Sequence, residues 1–307
     1  MPARSPSRER LDTAKRLVGR AGDDALRRAA RLRRRHYVGL EYPPSADNSP
    51  RYGHGRPEHR RLAARLSDGD ATYAATLAML AGYREALRAI PIHAADVRDP
   101  SWSNDFLPGL DAAAIYGFLR DREPALYLEI GSGNSTKFAA RARRDGSLAT
   151  TITSIDPHPR EEIDSLCDTV IRAPLEAVDL SVFDAVGAGD VVFFDGSHRV
   201  FMNSDVVAFF LDVLPSLPTG VLVGVHDVYL PFDYPPDIAG RYYSEQYMLA
   251  AYLLGGADVD VVLPAQYVTH RSEIPNELDA VWSDPYFAPV GHHGVAFWFS
   301  TASLTAS

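Results

Sequence analysis

Hydrophobic and polar positions follow two rhythms along the chain, and the change comes near residue 122. Before it the period is helical. Apolar residues at 11, 14, 17, 18, 21, 25, 26, 29 and 32 lie on one face of a predicted amphipathic helix. Residues 42–57, with Pro43, Pro44, Pro50, Gly53, Gly55 and Pro57, predict a loop. Helices are predicted over 70–89, ended by Pro91, and over 110–121, stopped before Pro124. After residue 125 short apolar runs alternate with helical stretches. The runs 125–130, 150–155, 168–171, 190–194, 221–225, 259–263 and 295–300 predict strands. Helices are expected over 137–144, from 160, and over 241–254, with a long irregular insertion at 264–293. Such alternation predicts an α/β domain on a mostly parallel sheet.

The first strand ends in Glu129-Ile130-Gly131-Ser132-Gly133-Asn134-Ser135-Thr136. Strand, glycine turn and helix start together bring bare backbone and a helix N-terminus up to a nucleotide. Glycine is expected at 131 and 133 so that no side chain holds the ligand off the backbone. Three classes of nucleotide site use such a loop. A phosphate-binding loop needs Gly-Lys-Ser/Thr, which Asn134-Ser135-Thr136-Lys137 does not supply, and a dinucleotide fold prefers a third glycine where Thr136 stands. Glu129 suits a cationic or hydroxyl-bearing ligand better than a pyrophosphate. The stretch Glu129-Ile130-Gly131-Ser132-Gly133 resembles the first motif of class I S-adenosylmethionine-dependent methyltransferases.

The second strand ends on Asp156-Pro157. An acid roughly 25 residues past the glycine loop, at a strand's carboxyl end, is placed to accept hydrogen bonds from both ribose hydroxyls. The competing reading is a turn that caps the next helix. Ala173–Glu176 would lie near an adenine. The fourth strand delivers Asp195-Gly196-Ser197-His198 and the fifth His226-Asp227 to the same edge. Asp195, His226 and Asp227 form a candidate ligand set for a divalent ion. Asp195 and His198 are the candidate catalytic pair, with His198 as general base for an acceptor hydroxyl. Taken singly, each of these residues also reads as a turn, cap or hydrogen-bonded structural residue.

Composition narrows the classes. The 307 residues are 46% hydrophobic and 23% charged, enough for one large α/β domain with a helical appendage. One cysteine, Cys167, excludes an internal disulfide framework and fits a reducing, cytoplasmic compartment. No run approaches the roughly 18 apolar residues of a membrane span, and the arginine-rich start has no apolar core of a secretory signal behind it. Residues 1–66 carry a net charge of +10, the remainder −19, and the chain −9. The basic helix could meet an anionic membrane, a nucleic acid or an acidic partner, or pack on the domain's own acidic surface. A nucleic-acid substrate recruited by that arm is the second reading. Against it stand the acidic core and the lack of an Asn/Asp-Pro-Pro-Tyr signature. A non-catalytic cofactor-binding protein is the third.

The phrases Glu-Ile-Gly-Ser-Gly-Asn-Ser-Thr, Ser-Ile-Asp-Pro, Asp-Gly-Ser-His and Val-His-Asp-Val, in that order over about 125–300, resemble the methyltransferase family 24 branch of class I enzymes. That resemblance implies a Rossmann-like, doubly wound sheet of seven strands with the last antiparallel, over 123–307, and an N-terminal helical region over 1–122. It implies S-adenosylmethionine across Glu129, Gly131, Ser132, Gly133, Asn134, Ser135, Asp156, Pro157 and Asp195. The branch is similar to metal-dependent macrolide-sugar and catechol-type O-methyltransferases, which implies Mg²⁺ at Asp195 and Asp227. His226 departs from the oxygen-only preference of Mg²⁺ and leaves Mn²⁺, Fe²⁺ or no metal open. The same branch resembles cephalosporin hydroxylase-like proteins, so the resemblance leaves the reaction open. The expected partner is a small-molecule acceptor, with a homo-oligomer left open.

Before the first strand, Ser101–Phe106 is expected as a loop that covers the cofactor, or in which Trp102 fills a seam. Tyr229–Tyr234 is expected to enclose an acceptor or to close the core over helix 241–254. Tyr37, Tyr42, Tyr52, His54 and His59 are further candidates for an acceptor pocket.

Overall fold

The computed structural model describes residues 25, 26, 28 and 49–301. Contacts divide the chain into Met1–Ser49 and Pro50–Ser307. The basic amphipathic helix therefore falls almost wholly outside the described residues, as do Tyr37 and Tyr42; within it, Ala25, Leu26 and Arg28 are helical.

The second unit opens with helices α1 (Arg60–Ser67), α2 (Asp70–Ala81), α3 (Arg84–Arg88) and α4 (Gly109–Arg122). The helix expected over 70–89 is broken at Gly82-Tyr83, because the last carbonyls of α2 turn back onto the Gly82 N–H. Strand and helix then alternate: β1 (Leu126–Ile130), α5 (Asn134–Gly146), β2 (Thr151–Ile155), β3 (Thr169–Ile171), β4 (Val191–Phe194) and α6 (Asp205–Ala208). The chain closes with β5 (Leu222–Val225), α7 (Glu245–Leu254), β6 (Val259–Pro264), α8 (Ala265–Thr269), α9 (Leu278–Trp282) and β7 (Phe297–Thr301). No helix forms from 160; a single turn at Asp164–Leu166 stands there. The insertion is more ordered than expected, since α8, α9 and a turn at Pro285–Phe287 occupy it.

The seven strands form one sheet in the order β3-β2-β1-β4-β5-β7-β6. β1 to β5 pair in parallel, and β7 runs antiparallel to both β5 and β6. This is the Rossmann-like, doubly wound, mostly parallel arrangement, flanked by helices. β1, β4 and β5 are buried along their whole length, as expected of central parallel strands, which carry continuous apolar runs. Phe193 and Trp298 stack at 5.3 Å across the sheet's centre. From β1 the chain winds out to β3 and returns to β4 on the other side. The strand order reverses between β1 and β4, and ligands bind outside the carboxyl ends at such a point.

Candidate active site

Two structures meet at that switch point. The first is the glycine loop. Gly131 has φ +79°, and a Cβ there would lie 1.8 Å from the backbone oxygen of Asp195. Its glycine is thus required by the neighbouring strand rather than by a ligand. Gly133 differs: a Cβ would have only Glu161 Cγ near it, at 3.8 Å. Gly133 caps α5, and its N–H donates to Thr136 Oγ1 at 3.0 Å. The loop, with Ser132, Gly133, Asn134, Ser135 and Asp195, lines a small open cleft walled by Phe106, Leu107, Arg160 and Glu161. Arg160 lies over the Phe106 ring at 4.8 Å.

The segment 101–107 splits between its two expected roles. Phe106 and Leu107 join the cleft wall. Trp102 is buried against Phe138, Trp282 and Phe287, with its Nε1–H donated to the Leu87 carbonyl at 3.2 Å, and fills the seam. Asn104 Oδ1 accepts from the N–H of Leu107 and, at 3.4 Å, from Asn134 Nδ2, which ties this segment to the glycine loop.

Glu129 does not reach the cleft. It is fully buried, and its carboxylate accepts hydrogen bonds from the hydroxyls of Tyr127 and Thr136. Burial pushes its carboxyl up to about 7, against the pull of the hydroxyls around it. Asp156 holds the loop from outside: Oδ2 accepts from the Ser132 N–H at 2.8 Å and Oδ1 from the His158 N–H at 2.7 Å. Its turn role is therefore realised. Arg172, which sequence reasoning passed over, donates to the Asp156 carbonyl at 3.0 Å.

The second structure is a cluster of carboxylates and imidazoles at the ends of β4 and β5. His198 Nε2 lies 3.4 Å from Asp195 Oδ1 and 3.4 Å from Asp227 Oδ2. His226 Nδ1 lies 3.5 Å from Asp195 Oδ1 and 3.8 Å from Asp227 Oδ1, while its Nε2 lies 3.4 Å from Asp111 Oδ2. His198 (φ 61°) and Asp227 (φ 55°) both hold left-handed backbone, a conformation that concentrates at functional sites. Burial opposes a charge on His198, but the Glu245 carboxylate first, then Asp195 and Asp227, push the imidazole up to about 9. His226 is raised well above its ordinary value by Asp195 and Asp111 despite complete burial. Burial would raise the Asp195 carboxyl, yet His226 and then His198 hold it below its ordinary value.

The structure thus brings Asp195, His198, His226 and Asp227 together, and Asp195 belongs to both the cluster and the cleft. Among the described residues no group of three or more His, Cys, Asp or Glu side chains is arranged to hold a metal ion. The expected set Asp195, His226 and Asp227 does converge, with His226 Nδ1 3.5 Å from Asp195 Oδ1 and its Nε2 turned to Asp111 Oδ2 at 3.4 Å.

Two members of the cluster carried no signal in the sequence. Asp111 sits inside α4, fully buried, and accepts from the N–H groups of Val295 at 2.8 Å and Ala296 at 3.0 Å. Glu245 begins α7, also fully buried, with Oε1 2.6 Å from His198 Nδ1. Periodicity marks both only as helix residues.

Around the cluster, Tyr243 tilts onto His198 at 4.5 Å between centroids. Tyr234 is buried among Tyr229, Tyr243 and Tyr247, so this ring closes the core over α7. Tyr229 stays half-buried beside the cluster. Tyr52, His54 and His59 act as a clasp: Asp233 Oδ2 accepts from the Arg51 and Tyr52 N–H groups, His54 Nε2 meets the Asp233 carbonyl at 2.9 Å, and His59 caps α1.

Residues 128–228 match the profile of a family described as a methyltransferase domain, a span that runs from β1 to just past Asp227. The solved structures similar to the chain include an SAH-bound methyltransferase from Podospora anserina, with 17% identity over 74% of this chain and 95% of that one, TM-score 0.37. They also include the plantazolicin methyltransferase BpumL in complex with SAH, with 11% identity over 79% of this chain and 100% of that one, TM-score 0.37. A third is an O-methyltransferase from Bacillus cereus in complex with SAH, with 16% identity over 75% of this chain and 91% of that one, TM-score 0.38. No curated protein matches the chain. The matched stretch, a methyltransferase domain by its family description, holds the glycine loop and both strand-end acid groups.

Proposed function

We propose that the chain transfers the methyl group of S-adenosylmethionine to a hydroxyl oxygen of a small molecule such as a sugar, a phenol or a natural product. The observation that carries this reading is the double membership of Asp195, which lines the cleft of the glycine loop and stands 3.4 Å from His198. A cofactor held in the cleft would supply an electrophilic methyl group, and Asp195 joins that cleft to a cluster able to take a proton. Gly131, Ser132, Gly133, Asn134 and Ser135 supply backbone and helix N-terminus; Asp156, flanked by Pro157, receives the ribose hydroxyls. Glu129 acts from behind, holding Thr136 and with it the start of α5.

The acceptor hydroxyl enters between His198, Asp195 and Asp227. Its oxygen attacks the methyl carbon, the carbon–sulfur bond breaks, and the cofactor leaves as neutral S-adenosylhomocysteine. The hydroxyl proton passes to His198 Nε2 in the ring's neutral form. Most of the acceleration comes from holding oxygen, carbon and sulfur in line in a cleft with little water. The proposed chemistry needs no metal step, since neutral His198 can itself take the hydroxyl proton. Four carboxylates (Asp111, Asp195, Asp227 and Glu245) would also repel a polyanion, which disfavours the nucleic-acid reading.

The test is calorimetric titration with S-adenosylmethionine and S-adenosylhomocysteine, followed by transfer of labelled methyl groups to a panel of hydroxylated acceptors, with EDTA or Mg²⁺. Micromolar cofactor binding and EDTA-insensitive ether formation are expected. A folded protein that binds neither ligand would overturn the reading.

A further inference from the structure

The fully buried carboxylate of Glu245 has no part in cofactor binding and does not face the cleft. Its surroundings give it one task. α7 begins against His198 at two points, the Ser244 N–H donating to the His198 carbonyl at 2.7 Å and the Glu245 N–H to the same carbonyl at 3.3 Å, and against Val200 at a third, where Ser244 Oγ accepts from the Val200 N–H at 2.9 Å. The left-handed backbone of His198 is therefore held by the start of this helix. The ring is held there too, with Nδ1–H donated to Glu245 Oε1 at 2.6 Å and Tyr243 against its face.

A buried carboxylate is costly to desolvate, and a buried pair is weak evidence for stability, so the placement of Glu245 against His198 points to a role beyond packing. The geometry points to Glu245 as a positioning residue, which keeps a proton on His198 Nδ1 so that Nε2 is the nitrogen presented to the acceptor between Asp195 and Asp227. This rests on the methyl-transfer reading for the acceptor, but the ring geometry stands without it. The groups facing His198 are Asp195 from β4, Asp227 from β5, and Tyr243 and Glu245 from the start of α7. A base oriented through its second nitrogen is the general pattern of activated acid–base pairs. Among the described residues, Glu245 Oε2 has no hydrogen-bond partner, so Oε1 carries the whole interaction.

The experiment compares wild type, Glu245→Gln and Glu245→Leu in the full chain, each first checked for a cooperative thermal transition. Nitrogen-15 NMR of the His198 ring, at a pH where the ring is neutral, reads which nitrogen carries the proton. Calorimetry reads S-adenosylmethionine affinity, and steady-state assays separate kcat from the acceptor KM. In wild type and Glu245→Gln, which keeps an acceptor oxygen, the proton is expected on Nδ1. In Glu245→Leu it is expected on Nε2, with cofactor affinity unchanged, kcat down by roughly 100-fold or more, and acceptor KM within about 2-fold. If Glu245→Leu does not fold, Glu245→Met, which also removes the acceptor oxygen but keeps the side chain's length, carries the test with the same expected move of the proton to Nε2 and kcat loss at constant KM. An Nδ1 proton that persists in Glu245→Leu, or a KM effect alone, would overturn the proposal. Loss of cofactor binding in the wild type would instead overturn the methyl-transfer reading and leave the NMR result to decide this one.

Discussion

Gly131 and Asp195 touch through their backbones: a Cβ on Gly131 would sit 1.8 Å from the Asp195 carbonyl oxygen. The ends of β1 and β4 are thereby locked together at the point where the proposed cofactor and acceptor sites meet. Gly131→Ala should cost about 1–3 kcal/mol of stability by overpacking and should disturb both sites. Gly133→Ala, with open space before it, should keep stability within about 1 kcal/mol and lower cofactor affinity alone. Urea unfolding beside calorimetry separates the two; equal stability losses would contradict the assignment.

The Asp156 carboxylate accepts from two backbone N–H groups, of Ser132 and His158, and is proposed to receive the ribose hydroxyls as well. Asp156→Ala should weaken S-adenosylmethionine binding by roughly 10- to 100-fold, the equivalent of one or two lost charge-assisted hydrogen bonds. Asp156→Asn, which keeps one acceptor oxygen, should lose less. Equal affinity in all three proteins would remove the ribose role.

His198 is pushed up to about 9, chiefly by Glu245, so at neutral pH its ring is protonated and cannot accept a proton. The expected profile of kcat/KM rises with pH and levels off above about 9. His198→Gln should lose that limb and roughly 10²- to 10⁴-fold in rate. A flat profile in the wild type would exclude His198 as base.

Glu129 titrates near 7 in the folded chain because of its burial, above the ordinary 4.5. A raised folded value means that its contribution to stability is complete below 4.5 and is lost as pH rises through about 7. Glu129→Gln removes that loss. Thermal melting should show a gain of up to about 3 kcal/mol at pH 8 and little gain at pH 5. The opposite order would mean that the carboxylate is paired with a cation.

The sheet was legible because each strand is a short apolar run between turn residues, and the acids at the ends of β1, β2, β4 and β5 stand where those runs stop. Gly131, Asp156, Asp195, His198, His226 and Asp227 could therefore be placed on one edge from spacing alone. What lay behind them was hidden. Asp111 and Glu245 are far from their histidines in the chain, and a buried acid inside a helix leaves no trace in a 3.6-residue period. Glu129 follows the motif but turns inward, because Tyr127 and Thr136 are close enough to claim it. The short helices α8 and α9, five residues each, are below the length at which periodicity separates a helix from a loop.

Pro264, the last residue of β6, pairs directly with Phe297, the first of β7. The intervening residues 265–296 therefore leave and re-enter the sheet at adjacent points on the edge that carries the candidate site. Trp282 and Phe287 within this segment pack on Trp102, and the Val295 and Ala296 N–H groups bond Asp111, so these positions are fixed. Between them its exposed stretches can change in length while the strand register beneath stays the same, since closing a longer loop between two fixed neighbours costs only a few tenths of a kcal/mol. Descent and design could alter which molecule approaches this edge by rewriting those stretches, without touching the strands that carry Asp195 and Asp227.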